Sequence, residues 1–510
     1  MNDLNAQLAQ INDLLCVINV LNWDARTQMP PGGTETRGHQ LATVSAIAQE
    51  RLTSPALRTA LEGAEANLSS LDDRQARAVR QTREAVDLLS RIPADLTREL
   101  AEVKNRAQAV WAKAKGENDF ATFAPELERM VALNRRLADA IGYEEHPYDA
   151  LVRQYEPGMT AGTLQTLFAQ LRAGLLPLLN EIRAAPEPRT DFLTRDYPED
   201  RQRAFALEMA EAFGYDLSRG RLDASAHPFE ISFTRQDVRI TTRYRRNFLP
   251  GALFGTLHET GHALYEQNID PALTRTVLAS DLLGLYAVGG ASYGTHESQS
   301  RLWENRVGRS RAFWTHHFPR LQEVFPEQLA DVTDEEFWRA VNRVRPSLIR
   351  VEADEMTYDL HIMLRVELEM ALIDGSLSVP DLPEAWNAKV GEYLGITPPD
   401  FASGVLQDIH WSAGLFGSFP TYTVGNVMAS QFYAAAREGV PGLEDSLARG
   451  EYTPLREWLT EHVYRHGRTY SPAELLERAT GEGLNPAPYL AYLGGKYTEL
   501  YHLTQQGEPA

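Results

Sequence analysis

The residues of this chain with the clearest chemical potential are His258, Glu259 and His262, which form a His-Glu-x-x-His pattern. On an α-helix, residues four apart lie on one face, so both imidazoles can reach a single metal ion. Glu259 lies beside them, where its carboxylate can take a proton from a metal-bound water. This combination of residue types predicts metal-assisted hydrolysis.

The residues around this pattern predict that it lies on a helix. Pro250 suits the first helical position, leucines recur on one side of the segment, and Asn268 can close the C-terminus. Gly261 weakens a helix interior by about 1 kcal/mol relative to Ala. We therefore expect a close packing contact at Gly261.

A third metal ligand must come from another segment. Tyr265 and Asn268 stand where the extended metzincin pattern requires Gly and His, so that pattern is excluded. Residues 295–305 predict a second helix, and a carboxylate from it would complete a two-His, one-Glu site with a position open for water. Glu297 and Glu304 are both candidates.

The overall composition restricts the partners of the protein. The chain has 510 residues, a formal net charge of −20, 43% hydrophobic residues and 24% charged residues, which is ordinary for a globular protein. Such a negative chain is a poor partner for a phosphate backbone, so nucleic acid is excluded. The apolar run 14–21 is too short and too polar for a signal peptide or a membrane span. The single cysteine, Cys16, fits a reducing compartment, so we expect a cytoplasmic protein with no membrane partner.

Long helices are predicted along much of the chain. Residues 2–22 predict an amphipathic helix that ends in a turn over 23–33. Ala, Leu, Arg and Glu at helical spacing predict further long helices. The clearest of these cover residues 74–90, 96–115 and 125–141.

The domain organisation is predicted to be simple. No linker is evident, so we expect one domain over 1–510, with room for two helical lobes, and a disordered tail over 505–510.

A short stretch without the helical residue pattern precedes the His-Glu-x-x-His segment. Residues 227–234 and 237–244 alternate apolar and polar side chains around a two-residue connection. This pattern predicts a β-hairpin at the edge of a small sheet beside the site. Asp237 and Arg239 lie on the hairpin and could either act on a substrate or form a structural salt bridge.

Two further segments carry groups that suit a peptide substrate. Arg350 and Asp354 are four apart, so on a helix the carboxylate could fix the guanidinium, and a fixed guanidinium suits a terminal carboxylate. An ordinary surface ion pair is the alternative. His410 or Tyr422 could hydrogen-bond the oxyanion that forms when a peptide carbonyl is attacked. Tyr422 could instead hold the carboxylate, or be a buried tyrosine with a satisfied hydroxyl.

Several of these segments together resemble one known family. The matching stretches are His227-Pro-Phe, Asp237-x-Arg239-x-Thr241, His258-Glu-Thr-Gly-His262, His296-Glu-Ser-Gln299, Ile349-Arg350-x-x-Ala353-Asp354 and Gly404-x-x-Gln407-Asp408-x-His410-Trp411. This ordered set resembles the M32 family of metallocarboxypeptidases over roughly the whole chain. The resemblance implies that Glu297, rather than Glu304, is the third metal ligand, with Glu259 as the general base. It also implies substrate-binding roles for His227, Asp237, Arg239, Arg350, His410 and Tyr422.

The resemblance also implies a fold, a reaction and partners. The fold would be mainly α, an elongated multi-helix zincin shell around a deep substrate groove, with a small β-hairpin or sheet beside the metal site. The two lobes of the single domain would flank the groove. The reaction would remove C-terminal amino acids from peptides with a free C-terminus, and the protein would be a homodimer. A two-His, one-Glu site suits one Zn²⁺ per chain, while Co²⁺ or Mn²⁺ could also occupy it.

Three functions compete at this point. A metal-dependent carboxypeptidase is favoured by the resemblance. A related metalloendopeptidase would accept peptides with a blocked C-terminus, and an aminopeptidase would need a carboxylate cluster for the free amine, which no motif supplies. A helical scaffold, with two surface histidines flanking a solvated glutamate, would bind no stoichiometric metal.

Overall fold

Helices form most of the structure. The computed structural model describes residues 1–503, and the tail over 505–510, predicted above to be disordered, lies outside the described residues. The α-helices of the described part are α1 (Asn2–Thr27), α2 (Thr34–Leu52), α3 (Pro55–Glu65), α4 (Asp73–Arg91), α5 (Ala94–Glu117), α6 (Phe120–Ile141), α7 (Pro147–Val152), α8 (Ala161–Ala184), α9 (Glu199–Phe213), α10 (Leu249–Gln267), α11 (Tyr293–Arg301), α12 (Arg311–Val324), α13 (Asp334–Val341), α14 (Glu355–Asp374), α15 (Leu382–Leu394), α16 (Pro420–Gly439), α17 (Leu443–Ala448), α18 (Thr453–His462), α19 (Pro472–Thr480) and α20 (Ala487–Tyr501). The predicted mainly α class is confirmed.

The residue contacts divide the chain into two compact units. The first comprises Met1–Ser90, Pro188–Val341 and Met428–Leu484, and the second comprises Arg91–Glu187, Asn342–Val427 and the segment that starts at Asn485. The prediction of one domain with two lobes around a groove stays a prediction. Among the described helices, none is long and apolar enough to cross a membrane.

Helix α1 runs further than the sequence pattern predicts. It passes through Trp23 to Thr27, whose hydroxyl donates to the Trp23 carbonyl, so the predicted turn over 23–33 is wrong at its start. Trp23 is buried and continues the apolar side of the helix. The chain leaves the helix only before Pro30 and Pro31, which lack the N–H that a helix interior needs.

The other predicted long helices are present as α4, α5 and α6. Helix α6 begins earlier than predicted because Asp119 caps it. The Asp119 carboxylate accepts hydrogen bonds from the backbone N–H groups of Ala121 and Thr122. An aspartate in this position satisfies donors that have no partner within the helix, which fixes the start of the first turn.

A three-stranded sheet lies in the first unit. Its strands are β1 (Gly220–Ala224), β2 (Glu230–Thr234) and β3 (Asp237–Thr242), in the order β1-β3-β2. Strands β2 and β3 are antiparallel, so the predicted hairpin is confirmed. Strand β1 pairs in parallel with β3, placing Leu222 opposite Ile240, and it was not predicted. Its sequence, Gly-Arg-Leu-Asp-Ala, has no β-branched or aromatic residue to indicate a strand.

Helix α10 packs against both the sheet and helix α11. Ala263 lies in one buried apolar cluster with Val238 and Ile240 of β3. Gly261 lies against α11, where an added Cβ would come within 2.4 Å of the Gln299 carbonyl oxygen. The close contact predicted at Gly261 is therefore confirmed, since a larger residue would force the two helices apart.

Candidate active site

Helix α10 carries His258 and His262 one turn apart on the same side. Their ring centroids lie 5.0 Å apart. The helix starts with a proline in its first turn and ends at Gln267, where the side chain of Asn268 donates to the Leu264 carbonyl. Both predicted ends of the helix are therefore confirmed.

Three side chains from α10 and α11 converge on one point. His258 Nε2 lies 3.6 Å from Glu297 Oε2, and His262 Nε2 lies 3.3 Å from the same oxygen. The three donor atoms lie within 4.8 Å of one another, the one such group among the described residues. Two imidazole nitrogens and a carboxylate oxygen suit Zn²⁺ and leave a coordination position open. The side chains present therefore fit a divalent metal.

Glu304, the other candidate for the third ligand, lies behind His258. Its Oε2 is 3.0 Å from His258 Nδ1, and its Oε1 accepts a hydrogen bond from Arg309. The chain is π-helical over Leu302–Gly308, directly after α11, and such a wider turn often occurs at functional sites. Glu304 is placed to orient His258 rather than to join Glu297.

The surroundings keep two of these donors, Glu297 and His262, in forms that can bind a metal. Burial opposes ionisation of Glu297, but Arg301 and the two histidines outweigh it and hold the Glu297 pKa well below its usual range. The Arg301 Nε lies 2.8 Å from Glu297 Oε1. Burial lowers the pKa of His262 to about 3. An ionised carboxylate and a neutral imidazole are the states that ligands require.

Glu259 is buried beside the two histidines but is not one of the three converging donors. Burial is the largest influence on its carboxyl group and raises its pKa to about 7. The backbone N–H of Glu230, at the start of β2, donates to the carboxylate and partly opposes this shift. The group can therefore exchange a proton near neutral pH.

The prediction that Asp354 fixes Arg350 is wrong. Arg350 belongs to a short 3₁₀ turn, Arg350–Glu352, whereas Asp354 caps the N-terminus of α14. The Asp354 carboxylate accepts hydrogen bonds from the backbone N–H groups of Thr357 and Arg345. The two residues are four apart in sequence but do not share a helix, so they do not lie one turn apart on a common face.

Asp408 fixes Arg350 instead. Arg350 Nε donates to Asp408 Oδ1 at 3.0 Å, and Arg350 Nη1 donates to the Tyr358 hydroxyl at 3.2 Å. Arg365 Nε donates to the other Asp408 oxygen at 2.7 Å. Both arginines are buried, and against the effect of burial they hold the Asp408 pKa well below its usual range. One carboxylate between two guanidinium groups leaves an excess positive charge, which favours an anionic ligand.

His410 and Tyr422 lie next to Arg350. The Arg350 Cζ is 5.2 Å from the Tyr422 ring centroid, and His410 Nε2 is 3.4 Å from the Tyr422 hydroxyl. His410 stacks on Phe419 at 4.3 Å. Burial lowers the His410 pKa to about 3, so the imidazole is neutral. The second unit thus brings three of the predicted substrate-binding residues together.

The residues on or beside the hairpin are placed differently. His227 is exposed, and its backbone carbonyl accepts a hydrogen bond from Ser225 Oγ. Arg239 donates to both oxygens of Asp237 at 2.8 Å, and its guanidinium lies 4.3 Å from the ring centroid of Trp23. This is the geometry of the structural salt bridge that was the alternative for Asp237 and Arg239.

Comparison with known proteins gives the family. The sequence profile described as "Carboxypeptidase Taq (M32) metallopeptidase" matches residues 3–497. The chain belongs to this family. It is 46% identical to thermostable carboxypeptidase 1 of Thermus thermophilus over 94% of each chain, and 40% identical to carboxypeptidase 1 of Bacillus subtilis over 97% of each chain.

Solved structures agree with this assignment. The fold is similar to that of the M32 carboxypeptidase from Deinococcus radiodurans, with a TM-score of 0.94 and 44% identity over 98% of this chain and 99% of that one. It is also similar to the carboxypeptidase of Pyrococcus furiosus, with a TM-score of 0.93 and 35% identity over 97% and 98%.

Membership of the M32 family establishes the class of reaction. The protein is a metallopeptidase, and the predicted metal-dependent carboxypeptidase function is confirmed. The endopeptidase and scaffold alternatives find no support. A metallopeptidase requires a divalent metal, and the donors around Glu297 fit one.

The arginine cluster is the group formed by Arg350, Arg365 and Asp408. Helical spacing in the sequence could not predict that the last two belong to it. Asp408 is distant in sequence from Arg350, and no periodicity relates them. Arg365 lies in the stretch Met-Leu-Arg-Val-Glu-Leu of α14 and is fully buried. A buried arginine needs a paired carboxylate. An arginine within an apolar stretch of helix was therefore the sequence feature that could have predicted this cluster.

Proposed function

We propose that His258, His262 and Glu297 hold one Zn²⁺ ion for carboxypeptidase action. The convergence of their three donor atoms within 4.8 Å carries this proposal. Zinc suits a two-His, one-Glu set, and cobalt or manganese could bind the same donors. When bound, the metal would supply a Lewis acid that activates water and polarises the scissile carbonyl.

Glu259 serves as the general base in this proposal. It lies on the same helix as the two histidine ligands, is buried, and has a pKa raised to about 7 by burial. A carboxylate with such a pKa can accept a proton from the attacking water and deliver it to the amine of the leaving amino acid.

Arg350 is the proposed anchor for the C-terminal carboxylate of the peptide. Its guanidinium is held by Asp408 through Nε and lies in a cluster with excess positive charge. Charge-assisted hydrogen bonds from a fixed guanidinium are selective for a carboxylate over an amide. Tyr422 and His410 are alternatives for a second bond to the carboxylate or for a bond to the oxyanion.

The hairpin residues have an indirect role in the proposal. Strand β3, which carries Asp237 and Arg239, packs against α10 through Val238 and Ile240. His227 precedes β2. We assign these polar residues an indirect role in substrate binding, in which they maintain the shape of the hairpin. An unchanged KM in Arg239→Ala would contradict this assignment.

The ligand assignment is tested by metal content. Glu297→Ala should lose both bound zinc and activity, because one of three donors is gone, while the mainly helical fold is kept. Glu304→Ala is the comparison variant and should keep zinc with a weakened affinity, since it removes a buried carboxylate that contacts His258 Nδ1 rather than the metal position. Elemental analysis after dialysis decides: retention of stoichiometric zinc by Glu297→Ala and its loss in Glu304→Ala would reverse the assignment.

The Arg350 assignment is tested with one peptide in two forms. The wild type should cleave the free acid and leave the C-terminal amide almost untouched. Arg350→Ala should lose most activity on the acid, about 10- to 100-fold, because a hydrogen bond to a charged group is worth about 1.5–3 kcal/mol. The values of kcat/KM for both forms and both proteins provide the comparison. A variant that keeps the full preference for the acid would show that another residue is the anchor.

The resemblance to the family also supports a homodimer, which we propose for this chain. A cytoplasmic location is proposed from its single cysteine, Cys16, since secreted proteins commonly use disulfides. Fractionation of the source cells would check the location, and recovery of the protein outside the cytoplasm would contradict it.

A further inference from the structure

A chain of buried polar side chains lies behind His262 and has no role in the reaction described above. His262 Nδ1 is 2.5 Å from His296 Nδ1, and His296 Nε2 is 2.9 Å from Glu266 Oε1. The Glu266 carboxylate accepts hydrogen bonds from the backbone N–H groups of Gly289 and Gly290. His296 is 8% exposed and Glu266 is 3% exposed, so protein groups rather than bulk water fix both side chains.

The direction of each hydrogen bond follows from the metal site. His262 faces Glu297 with Nε2, so a neutral His262 that uses Nε2 as a ligand carries its proton on Nδ1. That N–H donates to His296 Nδ1, which must be unprotonated to accept it. The proton of His296 is then on Nε2 and donates to the Glu266 carboxylate. The chain of bonds therefore ends at a carboxylate held by two backbone donors.

The ring of His296 is held in place by packing as well. It stacks on His262 with centroids 4.6 Å apart and on Tyr265 with centroids 5.3 Å apart. A Cβ at Gly290 would lie 2.5 Å from His296 Cδ2, so this glycine lets the preceding loop close over the ring. A ring confined in this way can orient its neighbour.

The other histidine ligand is supported by a shorter route. His258 Nδ1 contacts Glu304 Oε2 directly at 3.0 Å. The two ligand histidines therefore have separate supports, one of which contains a second imidazole. Each support can therefore be tested separately, by substitutions that leave the other support intact.

We propose that His296 and Glu266 are positioning residues that fix the tautomer and the orientation of His262, and thereby raise the metal affinity of the site. The proposal rests on the ligand role assigned to His262 under the proposed function. Removal of such a supporting partner typically weakens metal binding about 10- to 100-fold.

The test compares His296→Leu with His296→Gln in the full-length protein. A glutamine can accept from His262 through its amide oxygen and donate to Glu266 through its N–H, whereas leucine can do neither. The zinc dissociation constant is measured by competition with a chelating dye. We expect a 10- to 100-fold weaker affinity for His296→Leu and recovery of most of it in His296→Gln. The absorption spectrum of the Co²⁺-loaded protein should change only in the leucine variant.

A matched control separates positioning from loss of folding. His317 is also 8% exposed, and it bonds Tyr452 in a different part of the same unit. His317→Leu should therefore affect thermal stability while leaving the zinc affinity within about twofold of the wild type. Equal losses of affinity in His317→Leu and His296→Leu would overturn the proposal.

Paired variants show whether the two residues act as one support. Glu266→Gln combined with His296→Leu should weaken binding no more than His296→Leu alone, because both changes interrupt the same chain. Glu304→Gln combined with His296→Leu should give the product of the two single effects. Unchanged affinity in His296→Leu, or full additivity with Glu266→Gln, would overturn the positioning role. A wild type that binds no stoichiometric zinc would overturn the ligand assignment itself.

Discussion

Neighbouring residues of α10 have different protonation behaviour because their surroundings differ. Burial lowers the His262 pKa to about 3. Burial acts on His258 in the same direction, but Glu297 and Glu304 outweigh it and raise the His258 pKa. Glu259 lies between them with a pKa raised to about 7. The environment therefore supports the proposed roles of His262 as a neutral ligand and Glu259 as the base, whereas the proposed ligand role of His258 rests on its position.

The base role of Glu259 predicts a selective loss. Glu259→Gln keeps the shape of the side chain but cannot take up the proton, so turnover should fall about 10²- to 10⁴-fold. Zinc content and KM should stay close to those of the wild type, because the three donors and the arginine cluster are untouched. Measurement of kcat on metal-replete protein decides, and near-normal turnover would rule out Glu259 as the base.

At the scale of elements, the start of α14 decides which carboxylate holds Arg350. The helix begins at Glu355, and Asp354 is used to cap it. Arg350 therefore lies before the helix, and its guanidinium reaches Asp408. An acidic residue at a helix N-terminus is stabilised by the free N–H groups there.

This difference predicts separate effects for the two aspartates. Asp354→Ala should destabilise the protein by about 0.5–2 kcal/mol through loss of the cap, while the preference for free-acid peptides is kept. Asp408→Asn should reduce that preference about tenfold or more, because the Arg350 guanidinium loses the carboxylate that fixes its orientation. Denaturant unfolding and kcat/KM on acid and amide peptides measure the two effects. The reverse pattern would restore Asp354 as the partner of Arg350.

At the scale of the whole molecule, net charge acts on the proposed homodimer. Each chain carries a formal charge of −20, so two copies repel one another, and salt screens that repulsion. Light scattering in about 0.15 M salt, close to physiological ionic strength, should give twice the chain mass of 57.1 kDa. Dilution in low salt should shift the protein toward monomer. A monomer mass at all micromolar concentrations and in all salts would contradict the homodimer.

The mainly α class and helix α10 could be predicted because the sequence features that indicate them are local. Pro250, Asn268 and the four-residue spacing of the histidines predicted α10 with both ends, and Gly261 predicted its close contact. Strand β1 could not be predicted, since its stability comes from pairing with β3 rather than from its own residues. The end of α1 was misplaced because burial of Trp23 depends on tertiary contacts.

The sequence by itself determined the pair of histidines, the adjacent glutamate that we propose as the base and, through ordered motifs, the M32 family. Only the tertiary structure decided which partners these groups meet. It placed Glu297 at the histidine Nε2 atoms, Glu304 behind His258, and Asp408 at Arg350. Helical spacing predicts neighbours within one element, whereas each of these contacts joins separate elements whose packing depends on the whole fold.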